Sequence, residues 1–309
     1  MDAYDVIDCH THVQMSAEHT RDFLRHINRT DGPRDGTAQD CLRLMDRVGI
    51  KTTQVLPALA TRQIYDERLA AAKASGKPDP EAVLHRVAED CSTYNRWAAQ
   101  LGKAHPGRFA GLVALDPVLF GREWARKEIE SRLADGAVGL KIVPTFIGAA
   151  PNDPRMAVVW EEAHKRGLPV ISQSGVAARP TPVGHPSHFE DVLKAYPNCK
   201  VVLAHMGRGA EDTVARLAAR YANLYCDTSV WLGDLGKPGH PSVTEGVDII
   251  RRIGVDRVLF GTNYPMYDPL EHVDMLRRMP VTEDERRRIS AGNYRRVFRT
   301  SSIPSLKST

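Results

Sequence analysis

The chain has 309 residues, 42% hydrophobic and 26% charged, a balance that suits a globular protein rather than a disordered or fibrous one. Its net charge of +4 is only mildly basic, and lysines and arginines interleave with acids, as from Arg122 to Arg132. That excludes a nucleic-acid-binding stripe, and no stretch nears the roughly 20 apolar residues of a membrane span. No apolar run follows a basic start, so no signal peptide is expected. Cys9, Cys41, Cys91, Cys199 and Cys226 are scattered without a CxxC pair. They predict a reduced, cytoplasmic protein without a disulfide framework.

In chain order, Val6 and Ile7 open a strand. Residues i and i+2 of a strand share a face, so His10 and His12 project together at its end. Two imidazoles converging in this way suit a metal ion. Met15 to Gly36 is polar, contains Gly and Pro, and reads as a loop with one helical turn. Thr37-x-x-Asp40 resembles a capping box, Leu42, Met45 and Val48 follow helical spacing, and Gly49 stops that helix. Thr53 to Leu56 is the second strand. Ala58 to Pro80 exceeds the roughly 2–6 residues of a usual strand-to-helix connection, and predicts a lid or substrate-binding insert over 58–80. Glu81 to His105 is a long amphipathic helix, and Phe109 to Leu115 the third strand.

The same rhythm continues. Strands are predicted at Gly139 to Val143, Pro169 to Ser172, Lys200 to Ala204, Leu224 to Asp227 and Val258 to Phe260. Helices run between them, near Trp124 to Ala134, Asp153 to Gly167, Phe189 to Ala195, Ala210 to Tyr221 and Ser242 to Ile253. The strands are apolar on both parities, as buried parallel strands are. Eight such strands alternating with helices predict an α/β fold, a (β/α)8 TIM barrel, as a single domain over 1–300. A Rossmann fold would carry Gly-x-Gly-x-x-Gly after its first strand, and this chain does not. Thr282-x-x-Glu285 and Asn293 to Phe298 predict closing helices, Arg286-Arg287-Arg288 a solvated face, and 301–309 a disordered tail.

Active sites of such barrels lie at the C-terminal strand ends. The polar residues there are Asp8, His10, His12, Lys141, Gln173, His205, Asp227 and Asn263. His205 follows Val201-Val202-Leu203 and can serve as general base or metal ligand. Asp268, His185, His188 and His240 fall on loops and read as surface or substrate contacts.

Asp8-x-His10-x-His12, with Gly139-Leu140-Lys141-Ile142, Ala204-His205-Met206-Gly207, Gly261-Thr262-Asn263-Tyr264-Pro265 and Ile289-Ser290-Ala291-Gly292-Asn293, resembles the amidohydrolase superfamily. The likeness covers nearly the whole chain. It is strongest to the amidohydrolase 2 branch, which includes aminocarboxymuconate-semialdehyde decarboxylase. It implies a metallo-dependent hydrolase type of barrel with one or two divalent ions (zinc, iron or manganese), held by His10, His12, His205 and Asn263. It makes His205, Lys141 and Asn263 catalytic, with Lys141, Gln173 and Tyr264 on the substrate.

Two positions depart from the family pattern. Gln173 stands where a metal-binding histidine is usual, and Asn263 where an aspartate is usual. Asparagine is neutral and offers only a carbonyl oxygen. Three explanations compete: another metal with altered ligands, which is favoured; no metal; or an introduced asparagine. Lys141 is either carbamylated, as in binuclear relatives, or a cation for a substrate carboxylate. The expected reaction is hydrolysis of an amide, ester or thioester by a metal-activated water with His205 as base. The alternatives are non-oxidative decarboxylation and a degenerate barrel that only binds. The expected partner is a small organic acid, with no nucleic acid or membrane and a homodimer left open.

Overall fold

The computed structural model describes residues 4–29, 34–176 and 182–298. The strands are β1 (Val6–Thr11), β2 (Ile50–Val55), β3 in two pieces (Phe109–Gly111 and Val113–Ala114), β4 (Leu140–Ile142), β5 (Pro169–Ser172), β6 (Lys200–Leu203), β7 (Leu224–Asp227) and β8 (Val258–Leu259). Each pairs in parallel with the next in sequence. The ring closes where Cys9 N donates to Phe260 O at 2.9 Å and His12 N donates to Tyr264 O at 2.7 Å. The result is the TIM barrel expected from the strand and helix rhythm.

Ile7, Cys9, Leu56, Leu112, Ile171, Val202 and Leu259 meet in one buried cluster inside the barrel. Tyr294, Val297 and Phe298 join it from the helix Asn293–Phe298. That helix therefore plugs the end at which the strands begin, and leaves the other end for chemistry. A larger apolar layer, including Val55, Leu140, Trp160, Val214 and Phe260, packs the strands against the outer helices.

The interruption of β3 at Leu112 has a specific support. Asn95, buried on the helix Pro80–Ala104, accepts from Ala114 N at 2.8 Å and donates to Ala114 O at 2.9 Å. Its amide thus replaces a strand neighbour for a segment that would otherwise leave buried backbone groups unpaired. The helix lies so close that a Cβ on Gly111 would overlap the Ala98 carbonyl.

Two expectations are corrected. Met15 to Gly36 is not a loop with one turn: it contains the ten-residue helix Ala17–His26, with Ser16 accepting from His19 N as its cap. Phe23 and Leu24 point inward while Arg21 and Asp22 face solvent, so a mostly polar composition concealed an amphipathic helix. Nor is Ala58 to Pro80 an open lid loop. It holds the helix Thr61–Ala74, packed on the long helix that follows, and of this insert only Ala58 borders the cavity described below. Its alanines favour helix without tertiary support. The expected tail, 301–309, lies outside the described residues. Among the described residues no helix is long and apolar enough to cross a membrane.

Candidate active site and metal centre

The strand ends deliver their polar side chains to one cavity of about 400 Å³. His10, His12, Lys141, Gln173, His205 and Asn263 all line it. The His10 ring centre lies 5.1 Å from that of His12 and 5.1 Å from that of His205. Phe23, Ile27, Phe146, Met266 and Tyr267 form apolar walls, and Phe23 lies over His12 with ring centres 5.3 Å apart.

Tyr264, expected on the substrate, does not line this cavity. It is fully buried, and its hydroxyl donates to Asp40 Oδ2 at 2.7 Å, away from the cavity. Asp268 caps the helix Pro269–Arg278 and pairs with Arg34. His185 caps a short turn beside Ser187, and His240 borders a separate surface pocket. None of these reaches the centre.

Each histidine is held by one ring nitrogen. His10 Nδ1 lies 2.8 Å from Asp227 Oδ2, His12 Nδ1 2.9 Å from Leu56 O, and His205 Nδ1 2.8 Å from Ser229 Oγ. Carboxylate and carbonyl oxygens only accept, so Nδ1 carries the proton on His10 and His12 and leaves Nε2 with its lone pair. His10 Nε2 and Asn263 Oδ1 are buried and lack a hydrogen-bond partner within the protein. An unpaired buried lone pair is costly unless something positive meets it. The donor atoms that lie together are those of His10, His205 and Asp227, a set that fits a divalent cation, while His12 and the unpartnered Asn263 amide oxygen line the same cavity.

Asp227 also lies within 4.8 Å of the donor atoms of His10 and His205. Its oxygens are already engaged by His10 Nδ1, His205 N, Ser229 N and the Ser229 hydroxyl. It therefore supports the ligands from behind and supplies their counter-charge. Asp8 plays a similar part lower down. It accepts from Thr262 N at 3.0 Å, Thr262 Oγ1 at 2.5 Å and His10 N at 3.1 Å, tying β1 to the loop after β8. Burial raises its carboxyl to about 7 against those bonds.

Burial lowers the imidazole of His205 to about 3, with His10 adding to the effect, and it lowers His10 and His12 well below the ordinary histidine value. All three are neutral, as metal ligands must be. Burial brings Lys141 down to about 8, with Asp227 opposing the shift, so its buried amine is still protonated at neutral pH. No acidic side chain lines the cavity among the described residues, whereas Lys141, Arg29 and Arg208 do. Arg208 is paired with Asp234, and Arg29 rests over the Tyr267 ring. The charged side chains that line the cavity among the described residues are thus all basic.

A family model described as amidohydrolase matches residues 7–300. The chain belongs to the amidohydrolase family. Its likeness is to the amidohydrolase 2 branch, as the motifs implied. A γ-resorcylate decarboxylase from Polaromonas sp. strain JS666 is 27% identical over 317 residues, covering 84% of this amidohydrolase and 86% of that protein. The structure of 5-carboxyvanillate decarboxylase from Sphingomonas paucimobilis matches with a TM-score of 0.67 at 18% identity, covering 96% and 99% of the two chains. That of a dihydroxybenzoic acid decarboxylase from Polaromonas sp. JS666, with bound manganese and the inhibitor 2-nitroresorcinol, matches with a TM-score of 0.65 at 18% identity, covering 97% and 98%. These relatives are decarboxylases, which favours the alternative reading of the sequence over amide or ester hydrolysis.

Sequence reasoning passed over Ser229, Phe23 and Arg29. Ser229 carried a faint signal in Asp227-Thr228-Ser229, hydroxyl residues directly after a strand-end acid. Phe23 and Arg29 had none, because the helix that carries one and precedes the other was read as loop.

Proposed function

We propose that this chain is a metal-dependent, non-oxidative decarboxylase of a small aromatic carboxylic acid. The observation that carries the proposal is the buried Lys141 ammonium, set among neutral imidazoles in a cavity with no acidic lining among the described residues. Asp227 offsets only part of the cost of desolvating this cation, and an arriving anion would offset the rest. The apolar walls of Phe23, Phe146 and Tyr267 suit a flat ring. The named decarboxylase relatives support the same choice.

His10, His12 and Asn263, with His205 beside them, would hold the divalent ion. When bound, it supplies Lewis-acid polarisation of a substrate oxygen. The protein's own residues do the rest. Lys141 Nζ pairs with the substrate carboxylate and orients the ring against Phe23. The ring-to-carboxyl bond breaks, carbon dioxide leaves, and a proton takes the vacated position on carbon. Lys141, near 8, holds a proton at neutral pH and releases it readily, so its Nζ is the donor.

The test is a panel of hydroxybenzoates and benzene dicarboxylates, alongside amide, ester and thioester substrates, with manganese or zinc present. Carbon dioxide release from the acids alone is the expected result. Turnover confined to the amides or esters overturns the proposal, and tight binding without any turnover points to a barrel that only binds.

A further inference from the structure

We infer that Ser229 is a positioning residue that sets the tautomer of the metal-binding histidines. The inference rests on the metal-centre reading above. The Ser229 hydroxyl lies between three partners: His205 Nδ1 at 2.8 Å, His10 Nδ1 at 3.1 Å and Asp227 Oδ1. A hydroxyl has one proton and two lone pairs. Asp227 Oδ1 is an acceptor only, so the Ser229 proton goes there. The hydroxyl oxygen then faces both histidines as an acceptor, and together with the Ser229 carbonyl, 3.1 Å from the same nitrogen, it holds the His205 proton on Nδ1 and leaves Nε2 bare. His10 Nδ1 already donates to Asp227 Oδ2, and Ser229 Oγ favours the same tautomer. One hydroxyl thus carries the charge of Asp227 to an imidazole that Asp227 does not itself touch.

The surrounding backbone is shaped to keep that hydroxyl in place. Val230 has φ 64° and ψ −58°, a left-handed conformation that a β-branched residue rarely adopts. The turn it makes brings Trp231 N to 2.6 Å from Ser229 O, and the same carbonyl stands 3.1 Å from His205 Nδ1. His205 itself has φ 61°. Strain of this kind persists only where neighbours over-determine it. On the other side, a Cβ on Gly261 would come within 2.9 Å of the His10 Cβ and 3.3 Å of the Ser229 Cβ, so glycine is what lets the two residues approach. The neighbouring hydroxyl of Thr228 is as deeply buried, but it bonds only Gly261. It provides an internal control.

The experiment uses metal-stripped full-length protein with 15N-labelled histidine. Nuclear magnetic resonance of the ring nitrogens reports the tautomers, and calorimetric titration with Mn²⁺ or Zn²⁺ reports affinity. The wild type should show Nδ1 protonated and Nε2 bare on His205. Ser229→Ala keeps the backbone carbonyl at His205 Nδ1 but loses the hydroxyl that couples this imidazole to Asp227, so the His205 Nδ1 resonance should shift from its wild-type value and the metal should weaken by about tenfold or more. Thr228→Val should leave both readouts at wild-type values. A wild-type His205 protonated on Nε2 overturns the inference, and so does a Ser229→Ala protein with unchanged affinity or a Thr228→Val protein weakened equally. If Ser229→Ala does not fold, Ser229→Cys, which puts a weak acceptor in place of the hydroxyl, reads the same two quantities, and wild-type values there overturn the inference. If the wild type takes no metal but Ser229→Ala still shifts the His205 Nδ1 resonance, the metal-centre reading falls while the role of Ser229 stands.

Discussion

His10 and Asp227, 217 positions apart in sequence, meet with Nδ1 2.8 Å from Oδ2 and join the first strand of the barrel to the seventh. Burial and the Lys141 charge keep His10 neutral, so the contact is a hydrogen bond to a carboxylate rather than an ion pair. Asp227→Asn keeps the shape and removes the charge. It should weaken Mn²⁺ binding by about 10- to 100-fold, the usual cost of losing a partner behind a ligating histidine. Calorimetric titration measures this. Unchanged affinity would place the metal elsewhere.

Asn263 offers the opposite experiment. Its Oδ1 is buried without a partner, and its backbone, at φ 68°, is one that aspartate also tolerates. Asn263→Asp adds a negative charge to a set of neutral donors. It should tighten metal binding by at least about tenfold, because opposite charges within a few ångströms in a buried site interact strongly. Weaker binding in the same titration would show that Asn263 faces away from the ion.

The barrel was legible because its strands are buried on both faces, and runs such as Val201-Val202-Leu203 then read as continuous apolar segments. His10 and His12 were legible because a strand has a period of two. The role of Ser229 was not, since it depends on residues of β1, β6 and β7 converging, which only the closed barrel brings about. The helix Ala17–His26 was hidden by polar residues on its exposed face, and Tyr264 was misread because proximity in sequence to Asn263 says nothing of side-chain direction. Adjacent residues there point to opposite sides, one to the cavity and one to Asp40.

Lys141 links function to a stability cost. Its folded pKa, about 8, is depressed from 10.5 by burial. Below about 8 both folded and unfolded chains are protonated, and the full cost of burying the charge is present. Between there and 10.5 the unfolded chain binds the proton and the folded one does not, so stability rises with pH. Lys141→Met should lose decarboxylation, unfold at higher temperature than the wild type at pH 7, and show a smaller gain from pH 7 to 9.5. Thermal unfolding across that range checks it. A variant less stable at pH 7 would mean that the ammonium is already compensated.

Asn95→Ala tests the support of β3. It leaves the buried Ala114 N–H without a partner and the Ala114 C=O with only the weak Cys91 thiol contact at 3.8 Å. The loss should be about 3 kcal/mol, since each unsatisfied buried group costs ~1–3 kcal/mol. Urea unfolding measures it. A loss under about 0.5 kcal/mol, the range of surface changes, would mean that the backbone finds other partners.

The most direct test of the account is carbon dioxide release from 13C-carboxyl-labelled hydroxybenzoates, followed by mass spectrometry. It compares metal-stripped protein, protein reloaded with Mn²⁺, and reloaded Lys141→Met. Labelled carbon dioxide is expected from the reloaded wild type alone. Equal release from stripped protein, or from the Lys141→Met variant, would contradict it.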